Sequence, residues 1–176
     1  MMMRRGQQLL LPANPLFIWG SLLAALLLNM LQNIGLWGRA PWIPDILALV
    51  LVFWSVHQPL RVGIGVAFIF GLFMDVHQAG LMGANALAYT VLSFLAITIH
   101  RRLLWFSVPS QSVQVLPLFV VAQLISLAVK MLAGGDFPGL SIFLSPVIEA
   151  LLWPVASVML LAPQRRAPDP DANRPL

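Results

Sequence analysis

Cysteine is absent from this sequence, which removes disulfides, thiolate metal sites, iron–sulfur clusters and thiol catalysis from consideration. Charge is nearly as scarce. Only 9% of the 176 residues are Asp, Glu, Lys or Arg, against about 25% in an ordinary soluble domain. So few polar side chains cannot cover a globule that faces water. Clustered cations are missing too. The ten Lys and Arg outnumber the six acids, but they stand singly or in pairs between apolar runs, whereas a surface that tracks nucleic-acid phosphates needs them grouped. There is no internal repeat, low-complexity tract, phosphate-binding loop, haem motif or paired-carboxylate spacing. Ser93, Ser126 and Ser157 are scattered on apolar stretches without a neighbouring base, and His57, His77 and His100 fall near helix ends. Nothing here makes a nucleophile or a metal centre, so the expectation is a protein without enzymatic activity, cofactor or metal.

What the sequence has in abundance is hydrophobic residues, 60% of the chain, gathered in runs longer than a soluble core requires. The expected fold class is all-α: a polytopic membrane protein, a bundle of six transmembrane helices with cytoplasmic N and C termini. The helices are predicted at roughly 15–37, 44–57, 61–75, 80–99, 113–132 and 142–161. Residues 1–166 then form a single transmembrane domain, and the proline-rich polar segment 167–176 reads as a disordered cytoplasmic tail. Arg4 and Arg5 before the first run raise the possibility of a signal peptide. The one plausible cleavage point follows Ala40, where Pro41 disfavours processing, so a first membrane helix fits better, anchored by Trp37 and Trp42.

The segment from Pro44 to Asp75 has two readings. A single span would bury His57, Pro59 and Arg61 at the bilayer centre, where an arginine costs about 2.5–3.5 kcal/mol. Pro59 also removes a helical hydrogen bond and disfavours helix at Gln58. Two short helices joined by a tight turn avoid both costs. Each is about 21 Å long at 1.5 Å per residue, short of a ~30 Å hydrocarbon core, a mismatch that burial inside the bundle or local thinning absorbs. Charge selects the same count. Six helices put Arg4, Arg5, Arg61, Arg101, Arg102, Arg165, Arg166 and Arg174 on the inner side, and leave Arg39 outside, with Lys130 near the outer end of helix five. Asp45, Asp75 and Asp136 then all sit at outer ends. Five helices would turn both late arginine pairs outward.

Several positions stand out. Gly63, Ala67, Gly71 and Asp75 are spaced by four, so they share one helix face, and Gly80, Ala84 and Ala88 repeat the spacing on the next helix. Small residues let membrane helices approach closely, so the two helices are expected to form an antiparallel hairpin through these faces; a binding groove along the seam is the other reading. Asp75 either caps the outer interface by bonding loop amides or marks a buried partner, cation route or proton relay. A zinc pair with His77 lacks the third ligand such sites normally use. Glu149 is the acid placed deepest in the membrane, with Lys130 at a comparable depth on helix five, so a structural ion pair, a snorkelling lysine or a transport carboxylate are all open. Pro146 and Pro154 are expected to kink helix six, and Trp153 lies too deep for an interfacial tryptophan.

From Pro41 to about Arg102 the chain resembles the rod-shape-determining membrane protein family MreD. The resemblance is carried by Pro44-Asp45-Ile46-Leu47, Phe53-Trp54, Pro59-Leu60-Arg61-Val62-Gly63, Gly71-Leu72-Phe73-Met74-Asp75 and Leu81-Met82-Gly83-Ala84-Asn85-Ala86-Leu87, with Glu149-Ala150-Leu151-Leu152-Trp153-Pro154 near the end. It implies a non-enzymatic, multi-pass component of the bacterial inner membrane within the machinery that elongates the peptidoglycan wall. The implied partners are an MreC-like single-span protein and, through it, MreB, RodA and a transpeptidase. On that analogy the seam of Gly63, Ala67, Gly71, Asp75, Gly80, Gly83 and Ala84 would dock a partner's helix, and substituting leucine at Gly71 would lose the partner but keep membrane insertion. Pro44, Asp45, Pro59, Arg61, Trp153 and Pro154 would be structural. The six-helix layout is also similar to the substrate-binding subunits of energy-coupling-factor vitamin transporters. In that alternative Gln78, Asn85, Asp136 and Glu149 are the polar candidates for an outer pocket.

Overall fold

The computed structural model describes residues 13–32, 34 and 41–164. Among them are six α-helices and no strand: α1 Pro15–Leu31, α2 Ile46–His57, α3 Ile64–Gln78, α4 Ala84–Leu103, α5 Val108–Leu132 and α6 Leu144–Leu161. Arg4, Arg5, Trp37, Arg39, the arginines from 165 onward and the tail 167–176 lie outside the described residues.

The helix ends follow local chemistry. Asn14 caps α1 by accepting from Leu16 N at 3.0 Å, with Pro15 in the first turn, where its missing N–H costs nothing. Asp45 caps α2 by accepting from Ala48 N at 2.9 Å. Gln58 to Gly63 form the tight turn between α2 and α3, and Leu60 at its tip is fully exposed. Arg61 leaves the core there and donates to Ala13 O at 3.0 Å. α5 begins at Val108, five residues before the predicted 113, because Pro109 is tolerated in a first turn. α6 runs without a break through Pro146 and Pro154, so the expected kinks do not interrupt it.

α2 is the axis of the bundle. Every residue from Leu47 to Val56 is buried, and α1, α4 and α6 pack around it. A 12-residue helix is about 18 Å long, too short to cross a bilayer with its ends in water. Here its surface is covered by protein instead. Phe53 and Trp54 meet edge to face, and Phe53 also stacks on His57 and tilts against Trp153. Several polar atoms of this core are paired: Trp54 Nε1 donates to Ser21 Oγ at 2.8 Å, Ser55 Oγ bonds Ser93 Oγ at 2.8 Å, and Trp153 Nε1 donates to Gln111 Oε1 at 3.1 Å. Trp153 is thus a core residue whose one donor is satisfied across α5 and α6.

Outward, the bundle is apolar. Leu16, Leu23, Phe73, Val76, Leu151 and Met159 are all exposed, far more hydrophobic surface than a soluble protein shows. Two helical stretches of 25 residues, Val108–Leu132 and Leu140–Gln164, are long and apolar enough to cross a membrane. The latter is α6 extended by short 3-10 turns at both ends.

Candidate functional site

Two carboxylates organise one end of the bundle. Asp45, besides capping α2, accepts from Asn29 Nδ2 of α1 at 2.7 Å on Oδ1 and from the Tyr89 hydroxyl of α4 on Oδ2. Its own backbone N–H donates to Glu149 Oε1 of α6 at 2.9 Å. Ser145, one turn earlier on α6, places Oγ 2.7 Å from the same Oε1 and 3.0 Å from Ile43 O. Ile46 N completes the ring by donating to Asn29 Oδ1 at 3.3 Å. Four helices are therefore tied together by one network built on the start of α2. Removing one donor tests it. Tyr89→Phe strips Asp45 of one charge-assisted bond and is expected to lower stability by about 1.5–3 kcal/mol, read as a lower melting midpoint of the purified protein. An unchanged midpoint would remove Tyr89 from the network.

The second hub is Asp75, near the end of α3. Its Oδ1 accepts from Asn85 N at 2.8 Å, and its Oδ2 from Gly83 N at 2.9 Å and Ala86 N at 3.1 Å. These amides open α4, whose N-cap Gly83 has φ +105° and no side chain with which to cap. Asp75 supplies the missing acceptor from the neighbouring helix, where the α4 dipole favours a negative charge. The hairpin expected from the small-residue spacing is present, and Gly71 is its closest point. A Cβ there would sit 2.4 Å from Ala86 Cα. Ala67, Gly71, Asp75 and Ala84 are all buried in this contact region. Gly63, at the start of α3, is half-buried with room around it, whereas Gly80 is exposed in the loop with nothing within 4 Å, outside the seam.

The seam is consequently closed by the chain's own helices, and Gly71 offers no open face to a partner. His77 does not join Asp75 either; its Nε2 is 3.1 Å from Met30 O. Glu149 bonds Ser145 and the Asp45 amide rather than Lys130. The sequence gives Asn29 and Tyr89 no role, and Ser126 reads there only as a serine without a neighbouring base. The only available signal was that Tyr89 is the one tyrosine of the chain and follows Asn85 by four.

Between these hubs lies a cavity of about 1070 Å³. Asn29, Asp45, Tyr89, Glu149, Asn85 and Lys130 contribute to its walls, as do Gln78, Ser126 and Asp136. Asn85 Nδ2 donates to Gln78 Oε1 at 2.9 Å, and Ser126 Oγ lies 3.4 Å from Asn85 Oδ1. The cavity opens at the bundle end opposite Arg61, Arg101 and Arg102. The family model for the rod shape-determining protein MreD matches residues 13–162, which takes in all six helices and both carboxylate hubs.

The chain belongs to the MreD family.

Membership makes it a rod shape-determining membrane protein of the bacterial inner membrane. The residues behind the resemblance now have places in this MreD fold. Pro44-Asp45 opens the central helix, Pro59–Arg61 turns it back, Gly71 and Asp75 clamp α3 to α4, and Trp153 fills the core, while Pro154 is half-buried beside it. No solved structure matches the chain. The transporter-subunit alternative draws no support from these comparisons.

Proposed function

We propose that this MreD-family protein is a non-enzymatic, multi-pass scaffold of the wall-elongation machinery. In this reading all six helices lie in the membrane, with both termini cytoplasmic and residues 1–166 forming one transmembrane domain. It binds an MreC-like single-span protein and through it the MreB filament, RodA and a transpeptidase. The observation that carries the reading is the family match across residues 13–162. Two features of the fold support it. The surface is a nearly continuous apolar belt, which lipid or a partner's helix would cover. Most of the buried polar groups tie helices to one another, as a rigid scaffold requires. The seam residues Gly63, Ala67, Gly71, Asp75, Gly83 and Ala84 serve in this scheme to hold the α3–α4 hairpin, so that the belt outside it keeps a fixed shape.

Two measurements test the reading. The tagged protein, purified from its native membranes in mild detergent, is expected to bring down an MreC-type protein and wall polymerase components; recovery of an ATPase pair with a coupling membrane protein would instead replace this function with transport. Because the chain has no native cysteine, single cysteines report topology directly. Arg101→Cys is expected to react with an impermeant maleimide only from the cytoplasm, and Gly135→Cys only from outside. The reverse pattern, or both on one side, would overturn the six-span arrangement.

A further inference from the structure

The cavity between the two carboxylate hubs is lined by charged groups whose polar atoms the scaffold pairs only in part. Glu149 is 3% exposed, lines the wall, and receives both of its hydrogen bonds on Oε1, which leaves Oε2 without a partner among the described residues. Oε2 is not among the fully enclosed polar atoms that lack a partner, so it is open to the cavity, and a donor would reach it from there. Lys130, exposed in the last turn of α5, lines the same space, and its ammonium has no hydrogen-bond or salt-bridge partner among the described residues. A buried carboxylate and an exposed ammonium therefore face one cavity from different helices without meeting each other, and the exposed Asp136 lines it as well. Its volume, about 1070 Å³, slightly exceeds the roughly 300–1,000 Å³ typical of small-ligand sites. Its walls alternate apolar groups such as Phe119 and Leu127 with amide and hydroxyl groups from Asn85 and Ser126.

We propose that this cavity is a binding site for a zwitterionic aminoalkyl phosphate, whose primary ammonium donates to Glu149 Oε2 and whose phosphate pairs with Lys130. The chemistry follows from the unmatched groups. An acceptor-only carboxylate beside the Asp45 network suits an N⁺–H donor, and a lone ammonium suits an anionic oxygen. A net cation would leave Lys130 unmatched, and a net anion would leave Glu149 unmatched. The two natural sources of this chemistry are a free phosphoethanolamine-like molecule and the headgroup of an ethanolamine phospholipid. The second matches the cavity's position at a helix-end level, where headgroups lie. Binding here is separate from partner docking, because it uses the interior of the bundle and not the apolar belt.

The test uses the full chain, with O-phosphoethanolamine as the soluble probe in detergent and, separately, nanodiscs of ethanolamine or glycerol phospholipid. Wild type is expected to bind the soluble probe saturably by calorimetry, or to be stabilised against heat selectively in ethanolamine-lipid nanodiscs; the first outcome identifies a free ligand and the second a lipid. In either arm Glu149→Gln and Lys130→Met should each weaken binding about tenfold or more, the equivalent of losing one charge-assisted hydrogen bond. Glutamine keeps the Oε1 acceptor for Asp45 and Ser145, and size-exclusion elution confirms that each variant is folded. Should Glu149→Gln not fold, Lys130→Met decides alone. No saturable binding and no lipid selectivity would overturn the site, as would full retention of binding in Lys130→Met.

Discussion

Asp75→Ala is expected to be strongly destabilising, lowering yield and melting midpoint together, with a loss above about 3 kcal/mol. The side chain accepts from three amides at the opening of α4, those of Gly83, Asn85 and Ala86. A hydrogen bond to a charged group contributes about 1.5–3 kcal/mol, and a buried donor left without an acceptor costs a further desolvation term. Alanine leaves all three amides stranded, and Gly83 has no side chain to replace the lost cap. Water cannot stand in readily, since Asp75 is 2% exposed. Asp75→Asn keeps one carbonyl oxygen and is expected to recover part of the loss. The measurement is thermal unfolding of the three proteins in one detergent. If alanine and asparagine melt alike and within a degree of wild type, Asp75 is not the clamp described here.

The second large effect is expected at Gly71, from an addition rather than a deletion. Even Gly71→Ala places a methyl group 2.4 Å from Ala86 Cα, 2.7 Å from Ala86 N and 2.8 Å from Asn85 O. All three are backbone atoms of α4, so no side chain can swing aside, and α3 must move away from α4. That motion also stretches the Asp75 clamp one turn along the same face. Overpacking of this kind costs about 1–3 kcal/mol and more when the backbone must shift. Gly65, on the same helix, has nothing within 4 Å of its added Cβ. Gly65→Ala is therefore expected to be neutral or to stabilise by up to about 1 kcal/mol, through helix propensity. The pair separates steric conflict from general glycine effects. Equal melting of Gly71→Ala and wild type would mean that the helices are farther apart than this geometry. A Gly71→Leu protein is expected to fail in folding, before partner binding can be assessed, because the seam is filled from within.

Much of this architecture is legible in the sequence, for a plain reason. The scarcity of charge and the length of the apolar runs announce helices in lipid, since a bilayer leaves the backbone few other ways to satisfy its hydrogen bonds. Pro59 and Arg61 mark the α2–α3 turn, because neither tolerates the middle of an apolar helix. The four-residue spacing of Gly63, Ala67, Gly71 and Asp75 announces a close helix contact, and the ordered motifs from Pro44 to Leu87 announce the family. Helix ends were less legible. The start of α4 at Ala84 depends on an acceptor from Asp75, nine positions earlier and on another helix, and no local cap signals it.

What the tertiary structure alone decided is which polar groups meet. Depth along a helix suggested Glu149 with Lys130, but a helix also has an azimuth, and only packing around α2 reveals that Glu149 turns to Ser145 and the Asp45 amide. The same holds for Asn29 and Tyr89, 60 residues apart in the chain and joined through Asp45. It also holds for the seam, whose spacing is equally compatible with a partner's helix or the chain's own until α4 is seen against Gly71. Sequence by itself determined the class of protein, the number and place of its helices and its family, because those depend on composition and on periodicity along one strand of chain. The polar network, the closed seam and the cavity faced by Glu149 and Lys130 depend on distances between segments remote in sequence, and those exist only once the bundle is packed.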